Sequence, residues 1–371
     1  MSRSFAQEDN AAPIPQGFRL SKPAARADGR RSPRGEETGP PISFRTAGVF
    51  VREYVPLKYV IEPMLRSASL YALTAKTGAG KTAFNVVAAL AVATGRADIL
   101  GREVAQGRVA YLACENPDDI RMRLTIAAWL LNIDIEALGD EIMILEVRAK
   151  PEAVHAELVR LAKQKPFALV IVDTLAAFFD GDNINDAVQG GQFMRRLRPI
   201  TQIAGIPTVL VAAHPVKNAG EEALVPYGSG AILNEIDGNL TLWKKPETGL
   251  VSLHWQGKLR GLEFEPVHFR FEISGCPDLR DAKGRDVLLP TLRPASEQSA
   301  DDRQQAEADT DRTLLRAMIE RPGLTIREYA DATKIHRSSV SRKLQRLAKA
   351  SLAEQTLDKW RATAKGRKAL E

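Results

Sequence analysis

The stretch SLYALTAKTGAGKT, Ser69 to Thr82, constrains this chain more than any other. An apolar run ends in a loop of small residues, and a helical pattern starts at once after it. Gly78, Ala79, Gly80, Lys81 and Thr82 read as the end of a phosphate-binding loop, whose full signature is G-x-x-x-x-G-K-[ST]. Glycines let backbone N–H groups approach phosphate oxygens, a lysine supplies charge to the outer phosphates, and the next hydroxyl holds Mg²⁺. The following helix adds the positive end of its dipole. The candidate cradle is therefore Ala75, Lys76, Thr77, Gly78, Ala79, Gly80, Lys81, Thr82 and Ala83. One position is irregular: Ala75 stands where the signature has its first glycine. The competing reading, a glycine-rich strand-to-helix turn, requires no companion acid.

A companion acid is present. FALVIVDTLAAFF is an apolar strand ending in Asp173, and a carboxylate at that edge lies where Mg²⁺ sits beside such a loop. The bland alternative is an acid capping a turn. A second strand, in GRVAYLACENPDD, is followed directly by Glu115. Hydrolysis needs a group that orients or deprotonates water, and a strand-end acid between the two motifs suits that work. Glu115 could instead cap the helix containing Met122 and Leu124, together with Asp118 and Asp119.

Strand patterns at Leu70–Thr74, Arg108–Ala113, Ile142–Val147, Ala168–Asp173 and Thr208–Ala213 alternate with helical patterns at Thr82–Thr94, Asp118–Leu131, Pro151–Lys163 and Gln189–Ala204. Continuous apolar strands alternating with helices predict an α/β fold: a mostly parallel sheet with helices on both faces. Asn239–Trp243, Leu250–Trp255 and His268–Ile273 predict an antiparallel extension. The expected organisation is a disordered basic segment 1–45, an α/β domain 46–275, a linker 276–308 and a small C-terminal domain 309–371. No apolar run approaches the ~20 residues that span a bilayer, and no membrane role is expected. No secretory signal is evident, and the two cysteines, Cys114 and Cys276, suit a reducing cytoplasm.

The net charge of +6 is uneven. Lys334 to Glu371 holds eleven Lys and Arg against three acids, a net +8, so the remainder sums to −2. A block this concentrated points to a polyanion partner or to a solvated helical face.

The motif order resembles the RecA-like ATPases, specifically the RepA-type and DnaB-like hexameric replicative helicases. TAKTGAGKT, YLACEN, VIVDTL, VAAHPVK, YGSGAILNEIDGNLTLWK and GKLRG carry the resemblance, over roughly Tyr59 to Ser274. It implies a RecA-like P-loop core, ATP and Mg²⁺ as cofactors, and a hexameric ring. By resemblance Glu115 activates water, Thr82 and Asp173 hold the metal, and His214 senses the γ-phosphate. Lys258 and Arg260 then enter the neighbouring subunit's site. The residues alone also allow a capped loop histidine at 214 and a solvated strand face at 258–260, where alternation points both side chains the same way. The resemblance further implies a nucleic-acid loop around Gly228-Ser229-Gly230, with Lys217 on its near side; the residues alone indicate a flexible connection.

Asp311–Glu371 reads as a winged helix-turn-helix and resembles MarR-type or IclR-type winged helices. Leu314, Leu315, Met318 and Ile319 make the apolar face of a first helix, and Thr325 caps a second, Ile326–Thr333. In the third, Val340, Leu344 and Leu347 share one face. That leaves Ser338, Ser339, Arg342, Lys343 and Arg346 as a polar, cationic front for DNA. A small docking domain with a solvated basic face is the alternative. The sequence thus leads to an ATP-hydrolysing motor on DNA, a RepA-like replicative helicase of a mobile element. The competing readings are an ATP-dependent DNA-binding regulator, or a recombinase-like ATPase, without unwinding activity.

Overall fold

The computed structural model describes residues 44–370 except 229, 246, 247, 296 and 336, and the side chains of 297–307 and 338 are likewise not described. Residues 1–43, most of the N-terminal segment expected to be disordered, lie outside this set. Two units separate at Leu57. In the first, a short helix, Ala47–Arg52, is capped by Thr46.

In the second unit, strands β1 (Leu70–Ala75), β2 (Arg108–Leu112), β3 (Ile142–Leu145), β4 (Phe167–Val172), β5 (Thr208–Ala213) and β6 (Gly238–Lys244) are mutually parallel. Strands β7 (Leu250–Leu259), β8 (Val267–Ser274) and β9 (Leu289–Ala295) follow as an antiparallel extension. The sheet order is β9-β8-β7-β6-β1-β5-β4-β2-β3. Helices α1 (Lys81–Thr94), α2 (Pro117–Leu130), α3 (Pro151–Ala162) and α4 (Ala187–Leu197) connect the parallel strands.

The apolar runs are continuous because both sheet faces are covered. Period-2 alternation sorts them into two cores. Tyr71, Leu73, Tyr111, Ile171 and Leu210 pack with α1 and α2, through Phe84, Val87, Ile120 and Leu124. Leu70, Ala72, Leu112, Val172 and Val211 pack with α3 and α4, through Val154, Leu158, Phe193 and Met194. Helix α4 is shorter than its expected span to Ala204: Arg198–Gln202 is a tight 3₁₀ turn with Pro199 in it.

The segment 276–308, expected as a linker, carries β9 and the first half of a long helix, α6, introduced below. Pro290 and Pro294 hide β9 from a strand pattern, but it pairs on one side only, with β8, where proline is tolerated. The extension is tied to the phosphate-loop helix: Phe84 of α1 meets Phe269 of β8 edge to face, ring centroids 5.7 Å apart, both fully buried.

In the C-terminal part the second helix has its expected bounds, Ile326–Thr333, while the first begins at Glu297, inside the expected linker. After α5 (Gly230–Glu235), α6 (Glu297–Glu320), α7 (Ile326–Thr333) and α8 (Arg337–Lys349) precede a hairpin, β10 (Ala353–Thr356) and β11 (Lys359–Ala362), and a closing helix, α9 (Ala364–Lys368). Thr325 caps α7 in a reciprocal box with Glu328. Leu314, Leu315, Met318, Val340, Leu344 and Leu347 are buried with Tyr329 and Trp360. Ile319, expected in that core, is 38 % exposed, because it follows Met318 around the helix and faces outward.

Replacing Phe269 with alanine is expected to lower stability by about 3–5 kcal/mol, the usual loss for a buried aromatic. Denaturant unfolding of the full chain measures it.

Candidate functional site

Register builds the site. Thr74 pairs with Ala213, Val172 with Val211, and Leu112 with Val172, so four parallel strands end level with one another. The residues that follow converge on one edge: the loop after Ala75, Asp173 after β4, His214 after β5, and Glu115 three residues after β2. All border one cleft with Thr77, Gly78, Gly80, Lys81, Thr82 and Ala83.

Ala75 is explained by its place. It is the last residue of β1, fully buried, and it pairs with Leu242. Extended backbone accepts any L-residue, and the tight turning falls on Gly78 (φ 78°) and Gly80 (φ 105°) instead. Gly80 also caps the N-terminus of α1, so the helix's first N–H groups face the cleft.

Lys81 is folded back on the loop: its Nζ donates to the carbonyl of Ala75 at 2.6 Å and lies 3.5 Å from His214 Nδ1. Burial pulls its pKa down to about 8, against the opposing pull of Asp173 and Glu115. A triphosphate would reverse that balance by pairing the ammonium. Burial and the Lys81 charge likewise hold His214 below its ordinary value, which favours a neutral ring.

Asp173 is buried at 4 % exposure and accepts from Tyr111 Oη at 2.6 Å and from Asn85 Nδ2 at 3.1 Å. Glu115 is exposed on the cleft, and its Oε2 accepts from Thr174 Oγ1 at 2.9 Å. The capping alternative for Glu115 does not hold, because Asn116 caps α2 through a bond from Asp119 N. With Thr82 and Asp173 as oxygen donors beside Lys81 and turned glycines, the residues suit a Mg²⁺-bound nucleotide. Among the described residues no cluster of three His, Cys, Asp or Glu could hold a metal by itself.

Sequence reasoning missed part of the lining. Asp119, Ile120 and Arg123 of α2 border the cleft, as do Phe271 and Pro290 of the extension. Arg123 bridges them, pairing with Asp119 at 2.6 Å and donating to the Pro290 carbonyl at 3.1 Å. No local signal announces this, since β9 itself was not legible. Lys76 reaches away from the cleft and lies over the Trp243 ring, 4.9 Å from its centroid.

Lys258 and Arg260 are at the other end of the sheet. Leu259 pairs with Gly238 while Ala75 pairs with Leu242, a separation of about 13 Å along β6 at ~3.3 Å per residue. Both side chains reach the same segment, residues 233–237, after the left-handed Gly257 (φ 76°). Lys258 Nζ donates to the carbonyls of Leu233 (3.2 Å) and Asn234 (2.5 Å) at the end of α5. Arg260 pairs with the buried Asp237 at 3.1 Å, which also holds Arg198 at 2.8 Å and the Leu70 N–H at 2.9 Å. Lys217 is exposed on the loop after β5; Ser229 lies outside the described residues.

On α8, Arg342 is exposed and Ser339 half-buried, while the side chain of Ser338 is not among those described. Lys343 is not on the open front. Its side chain is 14 % exposed and pairs at 3.0 Å with Asp311 of α6, which Arg346 also engages. Position 343 lies one residue from Leu344, at the margin of the packed face, so its stem follows the core.

Residues 41–220 match a family model described as an AAA domain, and residues 307–352 match one described as a winged helix-turn-helix DNA-binding module. No curated protein matches the chain. The molecule therefore joins an AAA-type P-loop ATPase domain, on a mostly parallel sheet, to a winged helix. None of its described helices is long and apolar enough to cross a membrane.

If Glu115 is the base its place on the cleft suggests, replacing it with glutamine is expected to leave nucleotide affinity near that of the unaltered chain and to slow turnover by at least ~100-fold, since shape is kept and the carboxylate is lost. Equilibrium nucleotide binding and steady-state phosphate release measure the two quantities separately.

Proposed function

We propose that the chain is an ATP-hydrolysing, DNA-associated motor, a RepA-like replicative helicase acting as a hexameric ring. The observation that carries this reading is the division of charges between the two ends of the sheet. Lys81, Thr82, Asp173, Glu115 and His214 gather at one end, while Lys258 and Arg260 stand at the other, beyond reach of their own loop. A site completed by a neighbour accounts for both ends.

In this reading Gly78, Ala79, Gly80 and the first turn of α1 bind the phosphates through backbone N–H groups. Lys81 leaves the Ala75 carbonyl for the outer phosphates. Mg²⁺, when bound through Thr82 and Asp173, neutralises phosphate charge. Glu115, steadied by Thr174, orients and deprotonates the attacking water, and His214 donates to a phosphate oxygen. Arg260 from the adjacent subunit stabilises charge that develops on the phosphoryl oxygens. The winged helix holds DNA through α8, with Ser338, Ser339, Arg342 and Arg346 at the groove and Lys343 bracing α8 against α6. Lys217, exposed on the loop after β5, contacts nucleic acid in this reading.

A second reading, an ATP-dependent DNA-binding regulator without unwinding activity, is favoured by one observation. Lys258 and Arg260 are already engaged within their own chain, by the end of α5 and by Asp237.

Chains carrying Arg260→Ala and chains carrying Lys81→Ala, each inactive alone, separate the two readings when mixed. The ring reading expects recovery of a measurable part of the ATPase, because one composite site per mixed pair is intact. No recovery despite confirmed subunit exchange makes Arg260 structural and favours the regulator.

A further inference from the structure

The phosphate cleft ends in a buried polar triad that the phosphate-loop signature does not contain. Tyr111 on β2 and Asn85 on α1 are both fully buried, and both donate to the same oxygen of Asp173, Oδ2. Their placement follows from the fold. Tyr111 pairs with Ile171, two residues before Asp173 on the neighbouring strand, and all three side chains point to the α1 face. Asn85 is four residues after Lys81, one turn further along the same side of α1.

Three features argue that this is more than satisfaction of a buried acid. First, both donors converge on one oxygen and neither goes to Oδ1, so the carboxylate is fixed in rotation with Oδ1 left for a ligand. Second, Asn85 holds its amide nitrogen on the carboxylate although its own Oδ1 is buried without a hydrogen-bond partner. The reverse orientation would set two acceptors against each other. An orphan carbonyl in a core is a standing penalty, which an apolar residue of the same volume would remove. Third, the Tyr111 hydroxyl sits at 2.6 Å, the length of a charge-assisted bond to an ionised carboxylate, about twice as strong as a neutral one.

We propose that Tyr111 and Asn85 are positioning residues which aim Asp173 Oδ1 at the divalent cation of the nucleotide, and that they set the chain's cation affinity rather than its nucleotide affinity. The inference rests on the Mg²⁺-nucleotide reading of the cleft. Donors behind a metal-ligating carboxylate typically change metal affinity 10- to 100-fold when removed, because the ligand's direction is lost with them.

The experiment titrates Mn²⁺ into the full chain with saturating ADP and follows the electron paramagnetic resonance signal of free Mn²⁺. ADP affinity is measured separately in EDTA. Tyr111→Phe keeps the buried ring and removes only the hydroxyl; Asn85→Leu removes the amide and its orphan oxygen at similar volume. Both are expected to weaken Mn²⁺ binding about tenfold and to leave ADP affinity without metal unchanged. If both folded variants take up Mn²⁺ as the unaltered chain does, or lose Mn²⁺ and metal-free ADP affinity in parallel, the positioning role is overturned. Should Asn85→Leu fail to fold, Tyr111→Phe decides alone. Two further arms test the reading beneath. If the unaltered chain shows no ADP-dependent Mn²⁺ uptake, or Asp173→Ala equals it, the metal-nucleotide assignment itself fails.

Discussion

Level pairing of four parallel strands is the constraint on which everything else in this molecule depends. Hydrogen bonding fixes Thr74 opposite Ala213, and Leu112 and Val211 opposite Val172. A slip of one residue in any pair would turn Tyr111 or Ile171 to the wrong face and withdraw a functional group from the edge. The two apolar cores enforce the register, since each face accepts only alternate residues. The chemistry at the edge is thus a by-product of packing along about five residues per strand. Mutations deep in the sheet should alter the cleft without touching it.

Much of this was legible from residues alone, and the reasons are local. The strand patterns of β1, β2, β4 and β5 are unbroken because buried parallel strands need no polar side. Thr325 with Glu328, and Val340 with Leu344 and Leu347, are helix signals confined to a few positions. What failed to show was non-local. Strand β9 contains two prolines and is a strand only because β8 lies beside it. Phe271, Pro290 and Arg123 reach the cleft through that pairing. Lys343 looked cationic and free on a helical wheel, but a partner 32 positions away, Asp311, draws it inward. The sequence also left Ala75 open, because tolerance there depends on a backbone angle, and the angle proves to be that of a strand end.

The charges are arranged with a consistent economy. Lys81 is held by backbone carbonyl in a buried place where its charge is disfavoured, so a phosphate that pairs it meets little resistance from the chain. Arg260 and Arg198 share one buried carboxylate, Asp237, which also takes the first N–H of β1. That links the far end of the sheet to the strand that carries the phosphate loop. In the proposed ring, drawing Arg260 towards a neighbouring subunit would leave Asp237 to Arg198 and the Leu70 N–H.

In the proposed function the ATPase domain and the winged helix act as one DNA-associated machine. The most direct measurement is the ATP turnover of the full chain with and without DNA across a salt series. Faster turnover is expected with DNA, with the increase fading as salt rises, if cationic residues such as Arg342 make the contact as proposed. Turnover indifferent to DNA, under salt where binding to the same DNA is measured, would contradict it.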